Sequence, residues 1–191
     1  EWWWDDATLI LDKDNIQEGV QQLRENPKTG LVVLVNRYDG IDLPGNSCHV
    51  LVIDGLPEPL SGVERLEQAQ LISSMKLMRQ QIQRLEQGMG RATRSNEDYS
   101  AVLLLGQKIA NRLNSPNARD FFSPATQAQM ELAEAMADAI HADDIYDLRE
   151  VVQQCLERDP DWIALNKGVL AELRYSPTPI PPDAIAERKD F

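Results

Sequence analysis

Short apolar runs alternate along the chain with segments of helical spacing, and this alternation predicts a mixed α/β fold. The short runs lie at residues 8–11, 31–35, 49–54 and 99–105. The runs at 31–35 and 49–54 are rich in Val, Leu and Ile with little alternation, as in parallel strands covered on both faces. Ligands bind beyond the carboxyl ends of such strands, so residues 36–42 and Gly55 are candidate positions for a site.

Longer segments carry apolar residues every three or four positions, which is the spacing of amphipathic helices. Helices are predicted over residues 15–25, from Ser61 through Met89, and over 106–113. The longest stripe comprises Val63, Leu66, Ala69, Ile72, Met75, Met78, Ile82, Leu85 and Met89. We expect this stripe to pack on the sheet; a methionine-lined binding groove is the alternative.

The remainder of the chain is helical in pattern. Ser123-Pro124 and Asp159-Pro160 each combine an N-cap residue with proline at the first helical position, so helices are predicted to begin there. The expected buried faces are Met130, Ala133, Met136, Ala137 and Ile140, then Ile145, Leu148, Val152, Cys155 and Leu156, then Trp162, Leu165, Val169, Leu170 and Leu173. Four prolines between residues 177 and 182 end regular structure.

Length, the lack of targeting signals and the cysteine content limit the classes of protein to which the chain can belong. The 191 residues suffice for one sizeable core or for a domain with a helical appendage. The absence of a signal-peptide pattern and of a long apolar run favours a cytoplasmic protein without membrane contact. Cys48 and Cys155 match no ligand spacing, so we expect buried thiols and no metal site. Because the chain opens at Glu1, a piece of a longer protein is expected.

A formal net charge of −12 argues against a broad nucleic-acid-binding surface, because phosphate binding depends on clustered lysines and arginines. Any contact with nucleic acid must therefore be local. The aromatic run at residues 2–4, three tryptophans, could stack bases or pack on a neighbouring domain, and we assign it no site.

Residues 87–94, Gln-Gly-Met-Gly-Arg-Ala-Thr-Arg, are the strongest candidate for chemistry. Arg91 and Arg94 lie three residues apart behind two glycines. At the start of a helix they would project from one side, each with a planar fork of donors suited to phosphoryl oxygens, and the helix N-terminus would add its positive dipole end. Taken alone, the octet is better explained by solvated or carboxylate-paired arginines.

A second segment changes that assessment. Residues 36–44, Asn-Arg-Tyr-Asp-Gly-Ile-Asp-Leu-Pro, directly follow a predicted strand. The order of strand, Gly-Asp loop, strand, helix and Gln-x-x-Gly-Arg-x-x-Arg resembles the second RecA-like domain of superfamily 2 helicases. Gly40-Ile41-Asp42 is similar to motif V and residues 87–94 to motif VI. The residues of the two segments are most similar to the DEAD/DEAH-type branch, which includes DinG-type and xeroderma-pigmentosum-D-type proteins.

The resemblance covers residues 8–115 well, and 122–173 look like the helical continuation of some bacterial members. It implies a RecA-like, mostly parallel sheet flanked by helices over residues 1–115, a helical extension over 116–175 and a proline-rich linker or tail over 176–191. It also implies ATP with Mg²⁺ between two RecA-like lobes, bound mainly by a first lobe of the parent protein that this chain does not contain. DNA or RNA would bind through the complete motor.

The family's functional residues carry over to matching positions. Arg91 and Arg94 correspond to arginine fingers, and Gln87 and Gly90 to positions that face the nucleotide or the partner lobe. Gly40 and Asp42 correspond to residues that couple nucleotide state to nucleic acid, although Asp42 could also be a turn residue that caps backbone amides. Arg37 could hold a nucleic-acid phosphate or pair with Asp39 or Asp42.

The expected function is the second motor lobe of an ATP-dependent helicase or translocase. The sequence has no G-x-x-x-x-G-K-[ST] and no Asp-Glu-x-His, so the chain alone is expected not to hydrolyse ATP. A non-catalytic RecA-like interaction module, whose acidic helical region binds a protein partner, is the alternative. A translocase that does not unwind is a third possibility.

Overall fold

The computed structural model describes residues 6–26, 29–34, 41–43, 45–57, 61–70, 74–92, 98–139 and 145–173. The strands are β1 (Leu9–Leu11), β2 (Val32–Leu34), β3 (Val50–Asp54) and β4 (Ala101–Leu105). The helices are α1 (Ile16–Glu25), α2 (Gly62–Gln70), α3 (Met75–Met89), α4 (Gln107–Leu113), α5 (Pro124–Ala139), α6 (Ile145–Leu156) and α7 (Pro160–Ala171). The tryptophan run at residues 2–4 and the proline-rich segment at 176–191 lie outside the described residues.

The described strands form two parallel pairs. β1 pairs with β2 in the register Leu9 to Val32, and β3 pairs with β4 in the register Val50 to Ala101. Each pair is a two-stranded sheet among the described residues. The predicted α/β class with parallel strands and a helical C-terminal region is confirmed.

Each sheet has its own hydrophobic cluster. Leu11, Leu23, Ile41 and Leu43 are buried beside the β1–β2 pair. The larger cluster covers the β3–β4 pair and consists of Ile53, Ile82, Leu85, Ala118, Ile109 and Phe122. Since α3 and α4 contribute to the second cluster, these two helices hold β3 and β4 in place.

The predicted single helix from Ser61 to Met89 is wrong, because the structure has two helices there. α2 ends at Gln70 and α3 begins at Met75, where the Ser74 side chain accepts a hydrogen bond from the Leu77 amide at 3.2 Å. An N-cap of this kind is a start signal inside an apparently continuous stripe. Hydrophobic periodicity alone did not reveal it.

The stripe is also buried along only part of its length. Ile82 and Leu85 in α3 are fully buried, whereas Val63 and Leu66 in α2 are 69% and 62% exposed. α2 is tied to α3 by an ion pair between Glu64 and Arg84 at 2.7 Å. The prediction of core packing is therefore correct for the C-terminal half of the stripe and wrong for α2.

The C-terminal helices start where the sequence predicts. α5 begins at Pro124 and α7 at Pro160, where the Asp159 carboxylate accepts hydrogen bonds from the amides of Asp161 and Trp162. The apolar faces of α6 and α7 are less buried than expected. Ile145 in α6 is 76% exposed and Leu165 in α7 is 45% exposed, while Cys155 in α6 is buried. No helix within the described ranges is both long and apolar enough to cross a bilayer.

The α1–β1 contact allows a stability prediction with a matched control. A Cβ on Gly19 would overlap the Cδ2 of Leu11 and lie 2.6 Å from its Cδ1, and Leu11 is only 1% exposed. We expect Gly19→Ala to destabilise the fold, because overpacking costs about 1–3 kcal/mol and exceeds the helix-propensity gain of about 1 kcal/mol.

Gly168, within α7, is the control because a Cβ there meets no described atom within 4 Å. Gly168→Ala should raise the free energy of unfolding by about 0.5–1 kcal/mol. Urea unfolding of both variants measures the difference. Stabilisation by Gly19→Ala would show that Leu11 is loosely packed.

Candidate functional site

Residues 41–43 and Arg91 lie side by side, although fifty residues separate Ile41 from Arg91. α3 ends at Met89, and Gly90–Ala92 form a single 3₁₀ turn directly after it. Arg91 thus follows the carbonyl end of α3. A cation is stabilised at this end by the helix dipole. Residues 93–97, over which a helix starting there would run, lie outside the described residues.

Arg91 contacts the Gly-Ile-Asp loop through both its side chain and its main chain. Its Nη1 donates a hydrogen bond to the Ile41 carbonyl at 3.3 Å and lies 3.5 Å from Asp42 Oδ1. Its main-chain carbonyl accepts a hydrogen bond from the Leu43 amide at 3.1 Å. The two candidate motifs therefore meet in space, with the arginine laid along the loop.

Burial on both sides of Asp42 explains how this loop is positioned. Ile41 and Leu43 are each 3% exposed and pack with Leu11 and Leu23. The Asp42 carbonyl accepts a hydrogen bond from Arg24 Nη2 at 3.4 Å, from the last turn of α1. The backbone of the loop is thereby anchored, and the Asp42 carboxylate between the two buried side chains stays accessible.

The Arg91–Asp42 ion pair is partly exposed, with side-chain exposures of 20% and 39%. Solvent-exposed pairs of this kind contribute on the order of 0–1 kcal/mol. A contact this weak can give way to a phosphate group, whose charge-assisted hydrogen bonds to a guanidinium are stronger. The chemistry of Arg91 thus fits a phosphate ligand.

A second contact joins the same two regions farther along the chain. The Gly45 amide donates a hydrogen bond to Asp98 Oδ1 at 3.2 Å. Gly45 has a φ of 60°, in the left-handed region that favours glycine. Sequence reasoning gave no role to Asp98 or Arg24, because only the folded chain brings these two residues to the loop.

Of the remaining predicted site residues, Gln87 and Gly90 are exposed at the C-terminal end of α3. Gly90 has an ordinary φ of −73°, and a Cβ there would meet no described atom within 4 Å. Nothing described in the chain requires glycine at this position. Arg37, Gly40 and Arg94 lie outside the described residues.

Side chains near the loop are structural rather than reactive. The His49 ring stacks on Tyr99 with centroids 4.5 Å apart. The Arg158 guanidinium lies 4.6 Å from the Tyr99 centroid, which links the turn between α6 and α7 to the residues before β4. Burial raises the pKa of the Cys48 thiol, and hydrogen bonds with Ser100 and Val50 oppose this shift. A thiol that stays protonated is a poor nucleophile.

Other features of the described chain lie apart from this site. A cavity of about 320 Å³ is lined by residues 113–115 and 117–120, none of which is a predicted site residue. Among the described residues there is no group of three or more His, Cys, Asp or Glu side chains that could hold a metal ion.

Comparison with known proteins gives one match. Residues 6–128 match the family model of the helicase C-terminal domain, whereas no curated protein and no solved structure matches the chain. The matched range includes both candidate motifs and all four strands. The similarity to the DinG and xeroderma-pigmentosum-D branch fits this family. The chain belongs to the helicase C-terminal domain family, and it is part of a helicase motor.

Proposed function

We propose that this chain is the second motor lobe of an ATP-dependent nucleic-acid helicase or translocase. In this proposal Arg91 and Arg94 act as arginine fingers toward ATP with Mg²⁺, which is bound mainly by a first RecA-like lobe of the same parent protein. The observation that carries the proposal is the contact of Arg91 with residues 41–43 inside a helicase C-terminal domain.

The geometry supports a role in phosphoryl transfer. ATP supplies the γ-phosphoryl group, and negative charge on its oxygens must be stabilised during transfer. Arg91 offers a planar fork of donors that is anchored at its main chain and held at its tip by a weak ion pair. A group positioned in this way needs little reorganisation when a phosphate replaces the carboxylate, which is the property that electrostatic catalysis requires.

The open surface around Gly90 supports approach by a partner. Gly90 and Gln87 are exposed beside Arg91, and no described atom occupies the space that a Cβ on Gly90 would enter. Neither the backbone conformation nor the described packing requires glycine at this position, and a residue without a side chain leaves room for close approach by the nucleotide or the first lobe. Gln87 would then contact the same ligand or lobe.

Nucleic acid would bind through the complete motor, with Arg37 as a local phosphate contact and Gly40 and Asp42 linking that contact to the nucleotide. The charge of −12 restricts such contacts to a small part of this chain's surface. The Asp42 carbonyl and carboxylate are tied to Arg24 and Arg91, so a shift in the loop reaches Arg91 directly.

The test is ATP hydrolysis by the parent protein with and without single-stranded DNA or RNA. We expect nucleic acid to stimulate hydrolysis, and we expect this chain alone to show none, because it lacks the phosphate-binding loop. A parent protein that contains both lobes and hydrolyses no ATP would refute the proposal. Strand-displacement assays then distinguish a helicase from a translocase that does not unwind.

The helical extension favours the second candidate function, a protein-interaction module. Ile145 and Tyr146 at the start of α6 are 76% and 68% exposed, and acidic residues lie nearby at Asp147 and Glu150. Exposed apolar side chains of this kind occur at protein interfaces. A parent chain without a phosphate-binding first lobe would favour this function over the motor.

A further inference from the structure

Residues 41–43 and Gly45 are held by Arg91 and Asp98, which both follow α3 in the chain. At one end Arg91 binds Ile41 and Leu43, and at the other Asp98 Oδ1 accepts the Gly45 amide. Arg24 and Arg91 hold residues 41–43, and Asp98 holds the next described position, Gly45. Contacts at both ends of this stretch hold its direction as well as its position.

We propose that Asp98 is a positioning residue that makes Gly45 move together with residues 41–43 and Arg91. This inference rests on the proposed function and deepens it, because it names the contact through which nucleic acid and ATP hydrolysis are coupled. Asp98 touches neither ligand in this account. It acts through Gly45, whose backbone lies in the left-handed region.

The chemistry of the contact suits this role. The donor is a backbone amide and the acceptor a part-buried carboxylate oxygen. Hydrogen bonds to an ionised acceptor are stronger than those between neutral groups. The Gly45 amide also begins a 3₁₀ turn over Gly45–Ser47, so its donor has no partner within that turn. Loss of the Asp98 oxygen therefore leaves this amide without its described acceptor.

Asp98→Ala in the full-length parent protein tests the inference. We expect ATP hydrolysis without nucleic acid to stay near the wild-type rate, while the stimulation by single-stranded nucleic acid falls about fivefold or more, the scale of ordinary coupling between sites. Asp98→Asn should keep most of the stimulation, because its amide oxygen also accepts an N–H. Asp14→Ala, at an exposed position before α1, is the matched control.

Hydrogen exchange at the Gly45 amide gives a readout that does not depend on activity. Exchange should accelerate in Asp98→Ala and stay near the wild-type rate in Asp98→Asn. Should the alanine variant fail to fold, Asp98→Ser keeps a polar group but sets its oxygen back from the Gly45 amide by the length of the missing carboxyl group, and the same comparison applies.

The outcomes separate this inference from the proposed function. A wild-type protein with nucleic-acid-stimulated hydrolysis, together with an Asp98→Ala variant stimulated to the same extent, would overturn the role of Asp98 alone. Unchanged exchange at Gly45 would overturn the contact itself. A wild-type protein with both lobes but no ATP hydrolysis would refute the motor, and the coupling role with it.

Discussion

Arg91→Ala is expected to abolish nucleic-acid-stimulated ATP hydrolysis by the parent protein while leaving the fold intact. An arginine finger accelerates phosphoryl transfer on the order of 10³–10⁵-fold, which corresponds to about 4–7 kcal/mol of activation free energy. We expect the fold to persist, because the described contacts of the side chain, to the Ile41 carbonyl and to Asp42, are at a partly exposed position.

The comparison that isolates this effect uses two further variants. Arg91→Lys keeps the charge and loses the planar fork, so we expect activity well below wild type. Arg65→Ala removes an exposed arginine from α2 and should leave hydrolysis unchanged. Steady-state ATPase assays measure the rate of hydrolysis, and thermal unfolding shows whether each variant keeps its fold. Near-normal turnover in Arg91→Ala and in Arg94→Ala would reject the assignment of both arginine fingers.

The largest stability effect is expected for Leu85→Ala in α3. Leu85 is fully buried in the cluster that joins α3 to β3, and truncation of such a leucine costs about 2–5 kcal/mol through lost burial and the remaining cavity. That is a large share of the roughly 5–15 kcal/mol by which a domain is stable.

Leu66→Ala is the matched control, because Leu66 belongs to the same sequence stripe but is 62% exposed in α2. Its effect should stay within about 0.5 kcal/mol. Chemical denaturation of both variants gives the two values. Equal destabilisation would mean that α2 is packed like α3, as the hydrophobic pattern alone predicts.

The secondary structure could be predicted from sequence where the local signals were strong. Short Val- and Leu-rich runs predicted β2, β3 and β4, and Asp159-Pro160 predicted the start of α7. The break between α2 and α3 was missed because the three-to-four-residue spacing of apolar residues continues through Met75. This spacing also does not show which helix face packs against a neighbour. Burial at Val63 depends on tertiary contacts that the spacing does not contain.

The candidate site was predictable only where local sequence signals were strong. Asp42 and Arg91 belong to segments with recognisable spacing, and the structure places them in contact. Their environment was not predictable, since it depends on Arg24 in α1 and Asp98 before β4, neither of which stands out in the sequence. The helix end predicted at Met89 is confirmed, so the helix dipole near Arg91 is that of a C-terminus.

The position of Arg91 relative to bound nucleotide is the most direct test of its role as an arginine finger. A structure of the full-length parent protein with a transition-state analogue of ATP and Mg²⁺ would measure it. We expect an Arg91 guanidinium nitrogen to lie at about 2.7–2.9 Å from an oxygen of the γ-phosphate mimic, the distance of a charge-assisted hydrogen bond. An Arg91 that stays on Asp42, with the nucleotide beyond its reach, would rule out its role as an arginine finger.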